Sequence, residues 1–325
     1  MEQHEPATTA ADAIWALSDG HAGNVRQATA LADALAAQDR IDHFVLRPSL
    51  PAHAFAPRRY PLLRQPFGAG FAARAGAPPA LAIGCGRQAA LATRLLRERG
   101  SRAVQILDPR IDPAHWDLVI APEHDRLRGD NVISTLGSLH PVDDAWLAQA
   151  REEFAAFGDL PQPRTALLLG GSSRHVRFDR VAFEELTAKL EVALAREGGS
   201  VLVTTSRRTP RELRDALHHR YVETPGLTWL GPEDGANPYS GLLAWADRIV
   251  CSPDSVNMVS EACATRAPVF VFDPQRARGR VRTFLDSLLQ RGRIRAMDTA
   301  LAPFAVEPLR ETARVAEEVR RRLPL

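Results

Sequence analysis

Short apolar runs alternate with longer helical patterns along the first half of the chain. The apolar runs predict strands near 13–18, 43–46, 81–85, 103–108, 118–122 and 132–136. Helical periodicity appears at 24–38 and 87–99. Parallel strands need long crossover connections, which are usually helices, so this alternation predicts a parallel sheet.

A bridge follows at 141–163, where a helical pattern ends in the proline-bearing DLPQPR. The alternation then begins again. Strands are predicted near 165–170, 200–206, 227–231, 248–252 and 268–272. Helices are predicted at 179–197, 210–219, 240–246, 255–264, 279–292 and 307–323.

Two such series predict an α/β protein of two Rossmann-like, doubly wound domains facing a cleft. The 325 residues suit two domains of common size. The predicted domains are 1–158 and 159–325, with the option that the last helix packs back on the first domain. Ligands in open parallel sheets bind at the carboxyl ends of the strands, so the loops there are the places to look.

Composition narrows the function classes. Apolar residues are 45% and charged residues 25% of the chain, and the net charge is +2, which gives no indication of a nucleic-acid partner. Three scattered cysteines without a CxxC spacing indicate neither a disulfide framework nor a zinc site. The N-terminus lacks the basic and apolar regions of a signal peptide, and no apolar run is long enough to span a bilayer. We therefore expect a cytoplasmic protein without a bound metal. Lys189 is the only lysine, a bias typical of a GC-rich bacterial genome.

Residues 48–80 break the alternation, because they are rich in Pro, Ala, Arg and aromatic residues. One interpretation is an irregular surface loop. The other is a peripheral contact with the inner face of a membrane. That patch would combine apolar and cationic side chains: Tyr60, Leu62, Leu63, Phe67, Phe71, Arg58, Arg59, Arg64 and Arg74.

The first candidate turn is LSDGHAGNVRQA, where a strand gives way to a helix. Gly20 and Gly23 let the backbone approach a ligand, and the helix that follows offers free N–H groups. Asp19 and His21 are candidate acid–base groups. The alternative is a plain strand-to-helix turn.

The second candidate turn is LLLGGSSRH, which repeats this design at the first strand of the second half. The backbone and hydroxyl donors of Gly170, Gly171, Ser172 and Ser173 suit a phosphate, and Arg174 suits its charge.

Two further strand ends carry donors. VTTSRRTP places Ser206, Arg207 and Arg208 at one of them, where paired arginines favour an anion. CSPDSVNMVSEA begins a helix whose N-terminus suits a diphosphate. Its candidate residues are Ser252, Asp254, Ser255, Asn257, Met258 and Glu261, and Glu261 suits ribose hydroxyls. The alternative is a solvated helix start for the arginine pair and an exposed acid on the helix for Glu261.

A cluster at 123–125 is a second candidate for acid–base chemistry, because Glu123, His124 and Asp125 follow a strand end. The turn IGCGRQAA offers Arg87 and Cys85, but no histidine can be paired with that thiol. The adjacent residues 123–125 lack the His-x₃-His spacing of a metal site.

Together these blocks resemble the mitochondrial-fission Elm-type family, many members of which are catalogued as glycosyltransferases in bacteria. The resemblance covers about residues 13–295, and SRRTP and DSVNMVSEA are its most specific parts. It implies a GT-B-like fold with the acceptor site in the first domain and the nucleotide-sugar site in the second. It further implies that 252–261 holds the diphosphate and ribose, that 170–173 is a phosphate-side loop, and that 20–23 reaches the sugar phosphate.

The function implied is a metal-independent transfer of sugar from a nucleotide diphosphate, taken as UDP, to an envelope glycan or lipid-linked acceptor. No cofactor is required. Arg174, Arg207 and helix-end amides would neutralise the leaving diphosphate, and Asp19 and His21 rank first as the base. Two alternatives stay open. One is a non-catalytic interaction protein that binds a nucleotide as a signal, because plant members of the family act in mitochondrial division. The other is a nucleotide-sugar epimerase or hydrolase.

Overall fold

Two six-stranded sheets organise residues 13–323, the part of the chain that the computed structural model describes. The chain forms two compact units. One runs to Pro141 and takes up the chain again at Glu311, and the other is Val142–Arg310.

The first sheet is fully parallel in its strand pairs, with the order 2-1-3-4-5-6. Its strands are β1 (Ile14–Ser18), β2 (Ile41–Val45), β3 (Leu81–Cys85), β4 (Arg102–Ile106), β5 (Leu118–Pro122) and β6 (Val132–Thr135). Every residue of β1, β3 and β5 is buried, as expected for strands covered on both faces.

Helices cover both faces of this sheet. The unit contains α1 (Ala22–Leu35), α2 (Leu50–Phe55), α3 (Gly68–Arg74) and α4 (Arg87–Arg97). Ile14 and Ala16 pack in one apolar cluster with α1, whereas Trp15 and Leu17 pack in another with α4. Successive strand residues point to opposite faces, so this alternation gives the doubly wound arrangement.

Residues 48–80 contain α2 and α3 rather than only irregular loop. Phe67 and Phe71 are half-buried and pack against the cluster that contains Trp15, and Leu63 is half-buried beside Leu91. These three side chains therefore serve the core, which differs from the lipid-facing interpretation of them. Leu62 is 85% exposed.

The second sheet is also parallel in its strand pairs, with the order 12-11-10-7-8-9. Its strands are β7 (Arg164–Leu169), β8 (Ser200–Thr205), β9 (Gly226–Trp229), β10 (Arg248–Cys251), β11 (Val269–Val271) and β12 (Ile294–Ala296). Its helices are α5 (Asp144–Glu153), α6 (Arg180–Glu197), α7 (Arg211–Arg220), α8 (Tyr239–Trp245), α9 (Val256–Cys263) and α10 (Gly279–Gln290). The predicted α/β class of two doubly wound parallel sheets is confirmed.

The unit boundary lies before α5, whereas the sequence pattern predicts it at residue 158. The reason is close packing of the α5 end on α8. A Cβ added to Gly241 would lie 2.5 Å from Cγ of Phe154, and one added to Gly158 would lie 2.7 Å from the Trp245 ring. Glycine at both positions lets this helix pair lie in contact.

The last helix, α11 (Glu311–Arg322), returns to the first unit. Val315 and Val319 are buried in the cluster that contains Leu31 of α1. The Thr312 hydroxyl donates to the His140 carbonyl at 2.7 Å and accepts from its N–H at 3.0 Å. Within residues 13–323, the helices are all too short or too polar to cross a membrane.

Thr93→Val tests the core of the first unit. The Thr93 hydroxyl accepts a hydrogen bond from the buried Trp116 Nε1 at 2.8 Å, so valine leaves that donor unsatisfied. We expect a loss of about 1–3 kcal/mol in the free energy of unfolding, measured by urea denaturation. Thr187→Val is the matched control, because that buried hydroxyl bonds only carbonyls of its own helix. Equal losses in both variants would contradict this role of Thr93.

Candidate functional site

The loops after β1 and β3 share one edge of the first sheet. β1 lies between β2 and β3, so the crossover direction changes at the β1–β3 pair. Ser18 lies opposite Cys85 in the register, which brings the loops after both strands together. In open α/β sheets this switch point is where ligands bind.

Asp19 is the centre of the turn after β1. Its Oδ1 accepts from the N–H of His21 at 3.1 Å, and Nδ2 of Asn24 donates to its two oxygens at 3.0 and 3.1 Å. Nδ1 of His21 also lies 3.1 Å from Oδ1. The His21 side chain is 80% exposed and that of Asp19 only 13%. Because Asp19 engages Nδ1, Nε2 is the ring nitrogen left to exchange a proton with a ligand.

The glycines of this turn have separate roles. Gly20 has a φ of 81°, in the left-handed region that favours glycine. Gly23 lies in the first turn of α1, and its carbonyl accepts from Nε2 of Gln27 at 3.3 Å. The N-cap residue, His21, makes no side-chain capping bond, so the first amides of α1 suit an anion.

Asn24 and Gly86 complete this corner, and the sequence pattern did not select them. A Cβ on Gly86 would lie 2.6 Å from Nδ2 of Asn24, and the thiol of Cys85 donates to Oδ1 of Asn24 at 3.6 Å. The signal that could have found Gly86 is the strand–Gly–helix pattern of IGCGRQAA. Burial and the Asp19 charge raise the pKa of Cys85 well above its usual value, so this thiol is unsuited to be a nucleophile.

The second sheet has its own switch point, between β7 and β10. The N–H of Gly170 donates to Oγ of Ser252 at 2.7 Å, and the N–H of Gly171 donates to Oδ2 of Asp254 at 3.1 Å. The loops after β7 and β10 are therefore hydrogen-bonded to each other. Both amides were expected to face a ligand, but in this structure the protein itself uses them.

The buried carboxylate of Asp254 joins three loops. It accepts from Oγ of Ser252 and from Nη2 of Arg208, both at 2.6 Å. A Cβ on Gly170 would lie 2.2 Å from its oxygens, and one on Gly171 would lie 2.1 Å from the Arg208 carbonyl oxygen. Both positions require glycine because of close approach, and the residues form one frame.

Exposed donors lie next to this frame in the sequence. Ser172, Arg174 and Arg207 are exposed, and Ser173 and Ser206 are half-buried. The Ser172 hydroxyl exchanges hydrogen bonds with the backbone of Phe178, whereas Nε of Arg174 donates to Nε2 of His175 at 2.9 Å. The guanidinium groups thus remain at the surface, where they can meet an anion.

His175 lies in a basic environment that the sequence pattern did not single out. The N–H of Arg278 donates to its carbonyl at 2.8 Å. Burial, followed by the charges of Arg174 and Arg280, lowers the pKa of His175, which therefore accepts from Arg174 as a neutral ring. The arginines of RARGR, 276–280, were the available signal.

Helix α9 holds the remaining candidates. Ser255 is its N-cap, and its Oγ accepts from the N–H of Met258 at 3.3 Å. Asn257 and Met258 are half-buried, and Glu261 is 5% exposed. Glu261 is therefore a buried acid and not a solvated one.

One carboxylate of the cluster after β5, that of Asp125, is ion-paired. Arg110 lies 3.0 Å from Asp108 and 3.4 Å from Asp125. Its charge is thus shared by two carboxylates, which makes this cluster a weaker candidate base than His21. Within residues 13–323, no group of three or more His, Cys, Asp or Glu side chains is arranged to hold a metal ion.

In sum, the second unit brings Gly170, Gly171, Arg208, Ser252 and Asp254 into direct contact. Asp19 and His21 are paired in the first unit. The other candidates lie on adjoining loops or on α9.

The sequence is similar to one protein family along most of its length. A family model described as Mitochondrial fission ELM1 matches residues 22–323. The mitochondrial fission protein ELM1 of Arabidopsis thaliana is 32% identical over 279 residues, 75% of this chain and 64% of the plant protein. The chain thus spans less than two thirds of that relative's length. The resemblance to the Elm-type family is confirmed.

Solved structures give the fold. The UDP-GlcNAc 2-epimerase of Methanocaldococcus jannaschii matches with a TM-score of 0.55 at 12% identity, covering 95% of this chain and 99% of that one. The glycotransferase of kitacinnamycin matches with a TM-score of 0.52 at 15% identity, covering 97% and 99%. Identities this low support the fold alone, which is GT-B-like, with two Rossmann-like domains.

Gly171→Ala tests the frame around Asp254. The added methyl group would meet the Arg208 carbonyl, so the loops after β7 and β8 must separate. We expect a loss of about 1–3 kcal/mol in the free energy of unfolding, measured by urea denaturation. Gly70→Ala is the control, because nothing lies within 4 Å of its Cβ position. A Gly171→Ala protein as stable as this control would contradict the frame.

Proposed function

The chain belongs to the mitochondrial fission ELM1 family, and from that premise we propose that it is a glycosyltransferase of bacterial origin. It moves a sugar from a nucleoside diphosphate, with UDP as the first choice, to a cell-envelope acceptor. One observation carries the proposal. At the second switch point a buried frame fixes the loops, and the cations Arg174 and Arg207 are exposed beside it.

The donor diphosphate binds at these loops in this proposal. The N-terminus of α9 at Ser255 and the exposed guanidinium groups of Arg174 and Arg207 offset its charge, which makes a metal unnecessary. Glu261 receives the ribose hydroxyls, with Asn257 and Met258 beside them. Because Glu261 is buried, a hydrogen bond to its carboxylate is stronger than one in water.

Asp19 and His21 supply the base. Nε2 of His21 takes the proton of the acceptor hydroxyl while that oxygen bonds to the sugar carbon, and the diphosphate leaves with the electron pair. Asp19 orients the ring through Nδ1 and stabilises the imidazolium that forms.

The acceptor in this proposal is an envelope glycan or a lipid-linked molecule. The enzyme works in the cytoplasm at the inner face of the membrane, with a peripheral contact through residues 48–80. An epimerase or hydrolase would need the same donor site and no acceptor, so assays with and without an acceptor fraction separate these activities.

Nucleotide binding is the first test. In a thermal-shift panel of UDP, GDP, CMP and dTDP sugars, we expect at least one to stabilise the protein, since a ligand at 100 times its Kd adds about 2.7 kcal/mol. Glu261→Gln should lose most of that shift, because hydrogen bonds to a charged acceptor are worth about 1.5–3 kcal/mol. Glu212→Gln, an exposed glutamate on α7, is the control. A panel without any stabilising nucleotide would sink the proposal.

His21→Ala tests the base. With the donor that the panel selects, we expect kcat for nucleotide release to fall about 10²–10⁴-fold, because general bases contribute that much. The Kd for the nucleotide should be unchanged. His43→Ala, which removes an exposed imidazole in the same unit, is the control. An unchanged kcat in His21→Ala would remove His21 from the mechanism.

A further inference from the structure

Arginine is the only acidic or basic residue type, histidine aside, in one long stretch of the first unit. From residue 43 to residue 97 the chain has eight arginines and no aspartate, glutamate or lysine, although the whole chain has 41 basic and 39 acidic residues. The eight are Arg47, Arg58, Arg59, Arg64, Arg74, Arg87, Arg94 and Arg97. Within residues 13–323, Arg47, Arg58 and Arg64 have no ion pair. Arg59, Arg74 and Arg97 pair with Glu98, Asp42 and Asp117 outside the stretch, so the stretch keeps an excess of positive charge.

Exposed apolar side chains concentrate in the same stretch. Val45 is 59%, Leu50 87%, Phe55 47% and Leu62 85% exposed. They are half of the eight large apolar side chains that are exposed in the described part of the chain. Apolar groups gathered among cations are typical of a surface with a partner.

The segment that carries them, residues 45–64, is fixed to α4. Nη2 of Arg87 donates to the His53 carbonyl at 3.1 Å, and Nη1 of Arg94 donates to the Pro57 carbonyl at 2.7 Å. Ala52 is buried against α4 in the cluster with Leu91. The exposed side chains of α2 are therefore held by a rigid support.

A cavity of about 390 Å³ lies between this segment and α4. The buried Leu91 and Leu95 and the exposed Arg59, Arg64 and Arg99 are among its lining residues. The leucine side chains of this lining suit an aliphatic chain, and the exposed guanidinium groups suit a phosphate attached to it.

We infer that one surface of the first unit binds an anionic phospholipid bilayer. This docking surface consists of residues 45–64 and Arg99. Leu50, Phe55 and Leu62 enter the acyl region. Arg59 and Arg64 bind a headgroup phosphate at the cavity. A bilayer offers both an apolar phase and a field of negative charge, which matches the composition of this surface. The inference deepens the proposed membrane contact and is independent of nucleotide binding.

The experiment is flotation of the full chain with vesicles. One set is pure phosphatidylcholine, and the other contains about a third phosphatidylglycerol. We expect binding to the anionic vesicles at low salt, weakening as salt screens the charges. Each basic residue near such a surface is worth about fivefold in partitioning, so Arg59→Gln with Arg64→Gln should weaken binding about 25-fold. Leu50→Ser with Leu62→Ser should weaken it at least about tenfold.

Matched controls lie in the second unit. Arg177→Gln with Arg211→Gln removes two arginines whose side chains are 85% and 87% exposed. Val181→Ser with Val222→Ser removes exposed apolar groups. Three results would each overturn the inference. They are an equally large loss of vesicle binding in these controls, equal binding to both vesicle types, and no binding at low salt. If the protein self-associates without lipid and Leu50→Ser abolishes that self-association, the surface binds a second copy of the chain instead, and the inference is overturned.

Glycerol phosphate is the soluble competitor. Competition at millimolar concentration would mean capture of a free phosphate and would contradict bilayer docking. A nucleotide thermal shift that is unchanged in the docking-surface variants separates the two sites. Flotation without any nucleotide binding would leave the docking surface standing while the proposed function fails.

Discussion

The buried carboxylate of Asp254 is the interaction on which the second unit's candidate site depends. A charge removed from water is costly unless donors surround it. Gly171, Ser252 and Arg208 supply those donors from the loops after β7, β10 and β8. Three loops that follow different strands are therefore fixed relative to one another before any ligand arrives, and such preorganisation reduces the ordering cost of binding.

Asp19 in the first unit is also an aspartate at a switch point, but its hydrogen-bond partners differ from those of Asp254. Its partners are an amide, a backbone N–H and an imidazole, with no guanidinium among the contacts given above. Asp254 is paired with a permanent cation, so that pair can only hold structure. An exposed imidazole held by a carboxylate can instead exchange a proton with a ligand. The two switch points therefore differ in chemistry: the first suits proton transfer and the second suits the fixed binding of an anion.

The strands and long helices were predictable because buried parallel strands are continuous apolar runs, which alternate with amphipathic helices. β12 was missed, since Ile294–Ala296 is a three-residue edge strand with an exposed arginine at its centre. α2 and α3 were missed because proline and glycine obscure short helices. The site loops were predictable as strand ends. The bonds of Gly170 and Gly171 were not, because their partners lie more than 80 residues away in sequence.

Arginine serves two purposes in this chain, and its neighbours decide which. Arg164 and Arg248 are buried in the second unit, and each forms an ion pair with a carboxylate of the same unit. In the stretch from 43 to 97 the sequence supplies no carboxylate, and Glu98 and Asp42 at its borders pair with only Arg59 and Arg74. Arg97 pairs with Asp117, and Arg87 and Arg94 donate to backbone carbonyls, so Arg47, Arg58 and Arg64 are the three of the eight that lack both kinds of partner among the described residues. A charge distribution of this kind is stabilised by an external anion, which is why the docking surface is better understood through its partner than through the stability of the unit.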